Sequence, residues 1–347
     1  MLAGAMSSQT PDISVGLLRC DTHAAWFGAL MAPHDPLKFR TPVPFGPGLR
    51  ETWLAGGVHM FHYSHYSDPT RLTAPYAGGF RIAKVWDDRD RATAEVFASV
   101  FTERPVVCDT FEEASEGVDL VFIAECNGDG SDHVELATPA LRNKIPLFMD
   151  KPFAMNLADA RRIMALAREC ETPVFSASIL QYEPETLRFR SRLPETGGAD
   201  SGIVSGFTSH PAGLVHSVSA ATTIFGGGIR EVRALAAPGG TIFHLDYAGA
   251  EDRPSSGVLI RCGEAKYRWT SMVASAYGRD GAIQGRILHD YYCQAGTVDI
   301  IEEIRRMVRT RAVPGKQRET MEIIAVMDAA RRAEKSGSPE KVEEVEA

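Results

Sequence analysis

The stretch Val15-Gly-Leu-Leu-Arg-Cys-Asp-Thr-His-Ala-Ala-Trp-Phe27 joins a short apolar run to a helical pattern through a polar turn. Residues 13 to 18 are strand-like, and Trp26, Phe27, Leu30 and Met31 then recur at helical spacing until Pro33. A strand feeding a helix in this way opens a nucleotide-binding sheet, and the turn between them is where such a sheet carries a glycine-rich phosphate loop. Here Arg19, Asp21 and Ala24 stand at the three glycine positions. Alanine is tolerable at the third, but the second glycine exists to let backbone approach phosphate closely. A carboxylate about 4 Å from a phosphate charge costs on the order of 4 kcal/mol at an effective dielectric near 20, roughly a thousandfold in affinity. The plainest role for Asp21 is a helix N-cap that bonds the free amides near His23 and Ala24. A sharper one makes Asp21 and His23 metal ligands. Arg19 could partly replace the lost amide contacts by binding phosphate itself.

Outward from this turn, short apolar strands alternate with helices. Arg81 to Asp88 is a strand ending in acids, followed by a helical stretch to about Phe101; Val106 and Val107 make a short strand and Phe111 to Glu116 a helical turn. Asp119-Leu-Val-Phe-Ile-Ala124 is a continuous apolar strand, a helix from about Asp132 to Asn143 follows, and Ile145 to Met149 is again apolar. This is the pattern of a parallel sheet covered on both faces. Beyond Pro152 come an amphipathic helix from Leu157 to Cys170 and a strand from Pro173 to Ile179. From about Gly202 the segments turn strand-like (202 to 208, 241 to 247, 257 to 262, 265 to 275), and helices Ile300 to Thr310 and Arg318 to Glu334 close the chain. The expected architecture is α/β: a Rossmann-like parallel sheet over 1–152, then an α+β half over 153–347 built on an open-faced, mainly antiparallel sheet. A long insertion, 33–78, interrupts the first half. Rich in Pro, Gly and aromatics, it reads as a packed lid or a partner-contacting loop.

Within that insertion lies His59-Met-Phe-His62-Tyr-Ser-His65. On a helix His59, His62 and His65 would share one broad face, whereas on a strand His62 would point away from the others. They are candidate ligands for a divalent metal of the zinc or iron kind, set against ordinary aromatic and polar packing. Composition narrows the partners. The formal net charge is −8 and no dense Lys/Arg run occurs, which argues against nucleic acid and anionic membranes and for a small polar substrate. No apolar stretch is long enough to span a bilayer and no signal peptide is evident, so a cytoplasmic protein is expected. The six cysteines lack C-x-x-C spacing and are expected to be reduced.

Several motifs together resemble the Gfo/Idh/MocA family, named for glucose-fructose oxidoreductase and inositol dehydrogenase. His133-x-Glu-Leu-x-x-Pro-Ala-Leu follows the strand ending at Ala124, Asp150-Lys151-Pro152 stands where the family has Glu-Lys-Pro, and Gln181-Tyr-Glu-Pro184 resembles its Arg-Phe-x-Pro. Gly213-Leu-Val-His216 keeps a Gly-x-x-His spacing, and the last helix is also family-like. The chain resembles a divergent branch in which an Asp-Thr-Ser-His-like turn replaces the glycine fingerprint. The resemblance implies an NAD-type dinucleotide domain, a sheet domain that often forms dimers or tetramers of the same chain, and hydride transfer at a sugar or polyol carbinol carbon. It also implies that Lys151 bonds the reacting hydroxyl and that His216 is the proton acceptor, with Asp150 beside them.

Alcohol oxidation needs a base for the hydroxyl proton and a positive group for the developing alkoxide; Lys151 and His216 supply both. Ser219 follows His216 where the family commonly has an Asp, so a neutral, hydrogen-bonding or metal-ligating His216 is also open. Asp87, ending the second strand, fits an acid on the adenosine ribose and favours NAD over NADP. Arg19, Asp21, Thr22 and His23 of the first turn, Asp87, Glu125 and Asn127 after the fourth strand, and Pro152 are the cofactor-side candidates. Three functions are open: an NAD-dependent sugar or polyol oxidoreductase; a non-redox lyase, hydrolase or isomerase on a sugar-like substrate, with or without a metal; and a cofactor-free partner in an oligomer, against which the intact Asp-Lys-Pro element argues.

Overall fold

A computed structural model describes residues 12–38, 77–263, 271–289 and 293–345. The first six strands, β1 (Ile13–Leu18), β2 (Phe80–Trp86), β3 (Val106–Val107), β4 (Leu120–Ile123), β5 (Leu147–Met149) and β6 (Val174–Phe175), form one sheet in the order β3-β2-β1-β4-β5-β6. Every pairing in it is parallel. Helices Thr22–Met31, Arg91–Ala98, Phe111–Ala114, His133–Arg142 and Leu157–Glu169 make the crossovers. β4 and β5 are buried on both faces, which is why they read as unbroken apolar runs rather than as alternation. Four of the crossover helices start on side-chain caps: Asp21, Asp90, Thr110 and Asn156 each accept at least one amide of the first turn.

The sheet is filled by aromatic packing. Phe27 meets Phe122 at 5.3 Å, Phe122 meets Phe148 at 5.0 Å, and Phe148 meets Phe175 at 5.6 Å between ring centroids. The late helix Cys293–Thr310 returns to this sheet, burying Ile300, Ile301 and Ile304 in the same core. Trp26 Nε1 donates to Thr297 Oγ1 at 3.0 Å across that contact. The first sheet takes its sixth strand from beyond residue 152.

The second sheet has the order β12-β11-β7-β10-β9-β8-β13, from β7 (Ser201–Ser205), β8 (Glu231–Ala237), β9 (Gly240–Asp246), β10 (Val258–Gly263), β11 (Ser271–Gly278), β12 (Gly281–His289) and β13 (Glu340–Lys341). β7 and β10 pair in parallel and the other pairings are antiparallel. Helices Pro211–Phe225 and Gln317–Ser336 pack on one face. The opposite face leaves Leu235, Leu259 and Tyr277 exposed. The α/β class, with a parallel Rossmann-like sheet and a separate mainly antiparallel one, is therefore as the sequence implied. Among the described residues no helix is long and apolar enough to cross a membrane.

Two local expectations are corrected. The strand expected from Pro173 to Ile179 ends after Phe175, and the chain turns through a short 3-10 segment, Ile179–Gln181. Ser178 and Gln181 make a capping box there, competing with strand pairing. The region after Gly202 is not strand throughout, because Pro211–Phe225 is a helix. It is buried almost all round, so its sequence shows no amphipathic period.

Candidate active site

The carboxyl edge of the first sheet gathers most of the residues singled out from the sequence. The turn after β1 is built around Asp21, which is fully buried. Its Oδ1 accepts the amides of His23 at 2.9 Å and Ala24 at 3.0 Å, and its Oδ2 accepts the amide of Cys126 at 2.6 Å. Asp21 is thus the N-cap of Thr22–Met31, as expected, and it also ties this helix to the turn after β4. Arg19 has φ +71° and is buried. Its Nη1 donates to Glu125 Oε2 at 2.6 Å, its Nε to Asp88 Oδ2 at 2.9 Å, and its Nη2 to Asp132. Burial works against this charge, but Glu125, Asp132 and Asp88 outweigh it and raise the guanidinium above its ordinary value.

The neighbouring amides are satisfied in the same internal way. Asp87, buried, accepts the Cys20 amide at 2.7 Å and also the Arg89 guanidinium, from Nε at 2.8 Å. Glu125 folds over its own turn to accept the Gly128 amide at 2.7 Å, and a Cβ on Gly128 would collide with that carboxylate at 2.0 Å. His133 stands behind, fully buried, donating from Nδ1 to the Phe153 carbonyl at 3.2 Å. Burial, then the charge of Arg19, lowers it to about 4, so it is neutral. Glu125, Asp132 and His133 are the one group among the described residues whose ligand atoms are close enough to share a metal ion. The Arg19 guanidinium already bonds both carboxylates of that group, so the central cation there is supplied by the protein.

A second cluster lies beside the first. His23 Nδ1 bonds the buried Asp150 carboxylate. Burial opposes the imidazolium, but Asp150 outweighs it and lifts His23 well above the ordinary range; for Asp150 burial is likewise overcome, by His23 and then Lys151, and its value falls. Lys151, also buried, donates from Nζ to the Cys126 carbonyl at 2.7 Å and reaches the Ala212 carbonyl at 3.5 Å. Its peptide bond to Pro152 is cis. One turn beyond Ala212 on the helix Pro211–Phe225, half-buried His216 bonds Ser178 Oγ through Nδ1 at 2.8 Å. Burial, and then the positive charges of Lys151 and His23, push His216 well below its ordinary value. A neutral imidazole, a buried lysine and a carboxylate-held imidazolium thus lie close enough for the last two to act on the first. That set can move a proton and steady an anionic oxygen.

The structure therefore brings together Asp21, His23, Glu125, Asp150, Lys151 and His216, with buried Pro152 and Thr22 alongside. Asn127 is exposed on its turn. His59, His62 and His65, with most of the insertion, lie outside the described residues. Sequence reasoning did not single out Asp88 and Asp132 as partners of Arg19, or Ser178 as the partner of His216. Asp88 and Asp132 are legible only as a strand-end acid and the start of a helix, and a lone serine carries no signal at all.

Residues 55–178 match the model of the Gfo/Idh/MocA family, described as an oxidoreductase family with an NAD-binding Rossmann fold. The resemblance drawn from the sequence is thereby borne out. Among solved structures, GenD2 from gentamicin A biosynthesis, in complex with NAD, is 15% identical, covers 99% of this chain and 100% of its own, and superposes with a TM-score of 0.67. The myo-inositol dehydrogenase of Lactobacillus casei, in complex with NAD(H) and myo-inositol, is 12% identical over 97% of this chain and 98% of its own, with a TM-score of 0.68. A probable dehydrogenase from Thermotoga maritima is 15% identical over 77% and 93%, with a TM-score of 0.60. At these identities what is shared is the fold. No curated protein matches the chain.

The matched family's description names an NAD-binding fold, and the residues of this site fit a dinucleotide unevenly. The amides of His23 and Ala24, which a diphosphate would need at the first turn, are held by the Asp21 carboxylate, whose other oxygen takes the Cys126 amide from the turn after β4. At that turn the residues do not fit a diphosphate in the usual pose.

Proposed function

We propose that the chain is an oxidoreductase of the sugar or polyol dehydrogenase type, acting at a carbinol carbon of a small polar substrate. Nicotinamide dinucleotide, the hydride carrier named in the family's description, would accept or supply the hydride. The protein's own part is proton handling. Lys151 Nζ, fixed by the Cys126 and Ala212 carbonyls, places a positive charge where the substrate oxygen becomes alkoxide-like. The neutral imidazole of His216, held by Ser178, receives the hydroxyl proton, and Asp150 acts through His23. The observation that carries this reading is the approach of Lys151 and His216 from two halves of the chain: Lys151 Nζ reaches the Ala212 carbonyl at 3.5 Å, one turn before His216 on the same helix.

Absorbance at the reduced-nicotinamide band, followed with a panel of inositols and sugars, tests it. Lys151→Ala is expected to lower turnover on any true substrate by about a hundredfold or more; near-normal turnover would remove the role assigned to the lysine. The closed first turn favours a second reading, a lyase, hydrolase or isomerase of the same substrate class. Product formation without any change in that band would select it. We also propose a homodimer or homotetramer formed through the open face of the second sheet. The five described cysteines are free thiols, in keeping with a reducing, cytoplasmic setting.

A further inference from the structure

We infer that the first crossover turn of this chain is closed to phosphate: it is an internal ion-pair lock, and any dinucleotide the chain binds keeps its diphosphate off the amides of His23 and Ala24. Three observations carry this. First, the amides at the start of the helix Thr22–Met31 have an acceptor in Asp21, whose second oxygen takes the Cys126 amide from the turn after β4. A diphosphate would therefore have to displace a buried carboxylate from three hydrogen bonds at once. Second, Arg19 faces away from any such role, since its guanidinium is shared among Asp88, Glu125 and Asp132. Third, the charge around the turn is of the wrong sign. Asp21, Asp87, Asp88, Glu125, Asp132 and Asp150 gather there against Arg19, Arg89, His23 and Lys151, six carboxylates to four cations.

The lock has a structural use. Arg19 follows β1, Asp88 follows β2, Glu125 follows β4, and Asp132 immediately precedes the helix His133–Arg142. One guanidinium thus ties four neighbouring segments along the carboxyl edge of the sheet, the edge along which ligands bind in open sheets of this kind. The amides of His23 and Ala24 then serve the protein's own carboxylate rather than a ligand's, and the His23 ring bonds Asp150. The inference goes beyond the proposed function and does not depend on which carbinol is oxidised.

Calorimetric titration with NADH tests it on the full chain. Asp21→Asn keeps a capping oxygen, because Asn caps about as well as Asp, and removes one negative charge. Asp132→Asn removes a charge from a carboxylate nearly half exposed to solvent, and it serves should the buried variant fail to fold. The repulsion predicts that each folded variant binds NADH at least about tenfold more tightly than the wild type. It also predicts that raising salt from about 50 mM to about 500 mM does not weaken wild-type binding, because screening relieves a repulsion. Unchanged or weaker binding by the folded variants, absence of binding in both, or a steep loss of wild-type affinity with salt would each overturn the inference.

Discussion

The pair His23–Asp150 concentrates what single residues do in this protein. Asp150 is buried at the end of β5 and needs a positive partner, and His23 is delivered to it by the first turn of a helix that Asp21 caps. The folded state raises His23 and lowers Asp150. The histidine's contribution is therefore full below its ordinary value of about 6.5 and is lost as pH rises through its raised folded value. The aspartate's is full above its ordinary carboxyl range and is lost as pH falls through its lowered one. His23→Ala should cost about 3 kcal/mol near pH 6, because it strands a buried carboxylate. That cost should shrink as pH climbs through the raised value of His23, which urea unfolding of wild type and variant across pH will show. At this scale the sequence was partly legible. The Asp21 cap followed from its place before an apolar helix, and Lys151 from its Asp-Lys-Pro setting. The partners of Arg19 and His216 come from positions far along the chain, and no local pattern announces them.

Among elements, β1 and the short helix Phe111–Ala114 show how closely the crossovers sit on the sheet. A Cβ on Gly16 would lie 2.0 Å from the Ala114 carbonyl oxygen, so a glycine is required there by contact rather than by conformation. Gly16→Ala should destabilise the fold by about 2 to 3 kcal/mol, seen as a lower urea midpoint at unchanged slope. Parallel strands and amphipathic helices were readable because burial on both faces, or on one stripe, writes its period into the sequence. The helix Pro211–Phe225, which carries His216, escaped because its surroundings bury nearly every side. The strand after Pro173 was overextended because the Ser178 capping box redirects an apolar run into a turn.

Taken whole, the molecule joins two sheets through a helix that returns late in the chain. Cys293–Thr310 packs its isoleucines into the core of the first sheet, so residues far apart in sequence share one interior. The second sheet leaves Leu235, Leu259 and Tyr277 uncovered on its open face, and self-association there would remove them from water. Sedimentation velocity should find an oligomer for the wild type and a smaller species for a Leu235→Glu, Tyr277→Glu double variant, with the fold intact by circular dichroism. The class of fold was legible from strand–helix alternation, whereas the way the late helix closes on the first sheet was not.

The central claim is that a carboxylate and an arginine have taken the place of phosphate in the first turn of a nucleotide-type sheet. Crystals grown with NAD+ test it most directly. The account predicts that the amides of His23 and Ala24 remain bonded to Asp21, with no diphosphate oxygen within hydrogen-bond distance of them. A diphosphate seated on those two amides, with Asp21 displaced, would contradict it.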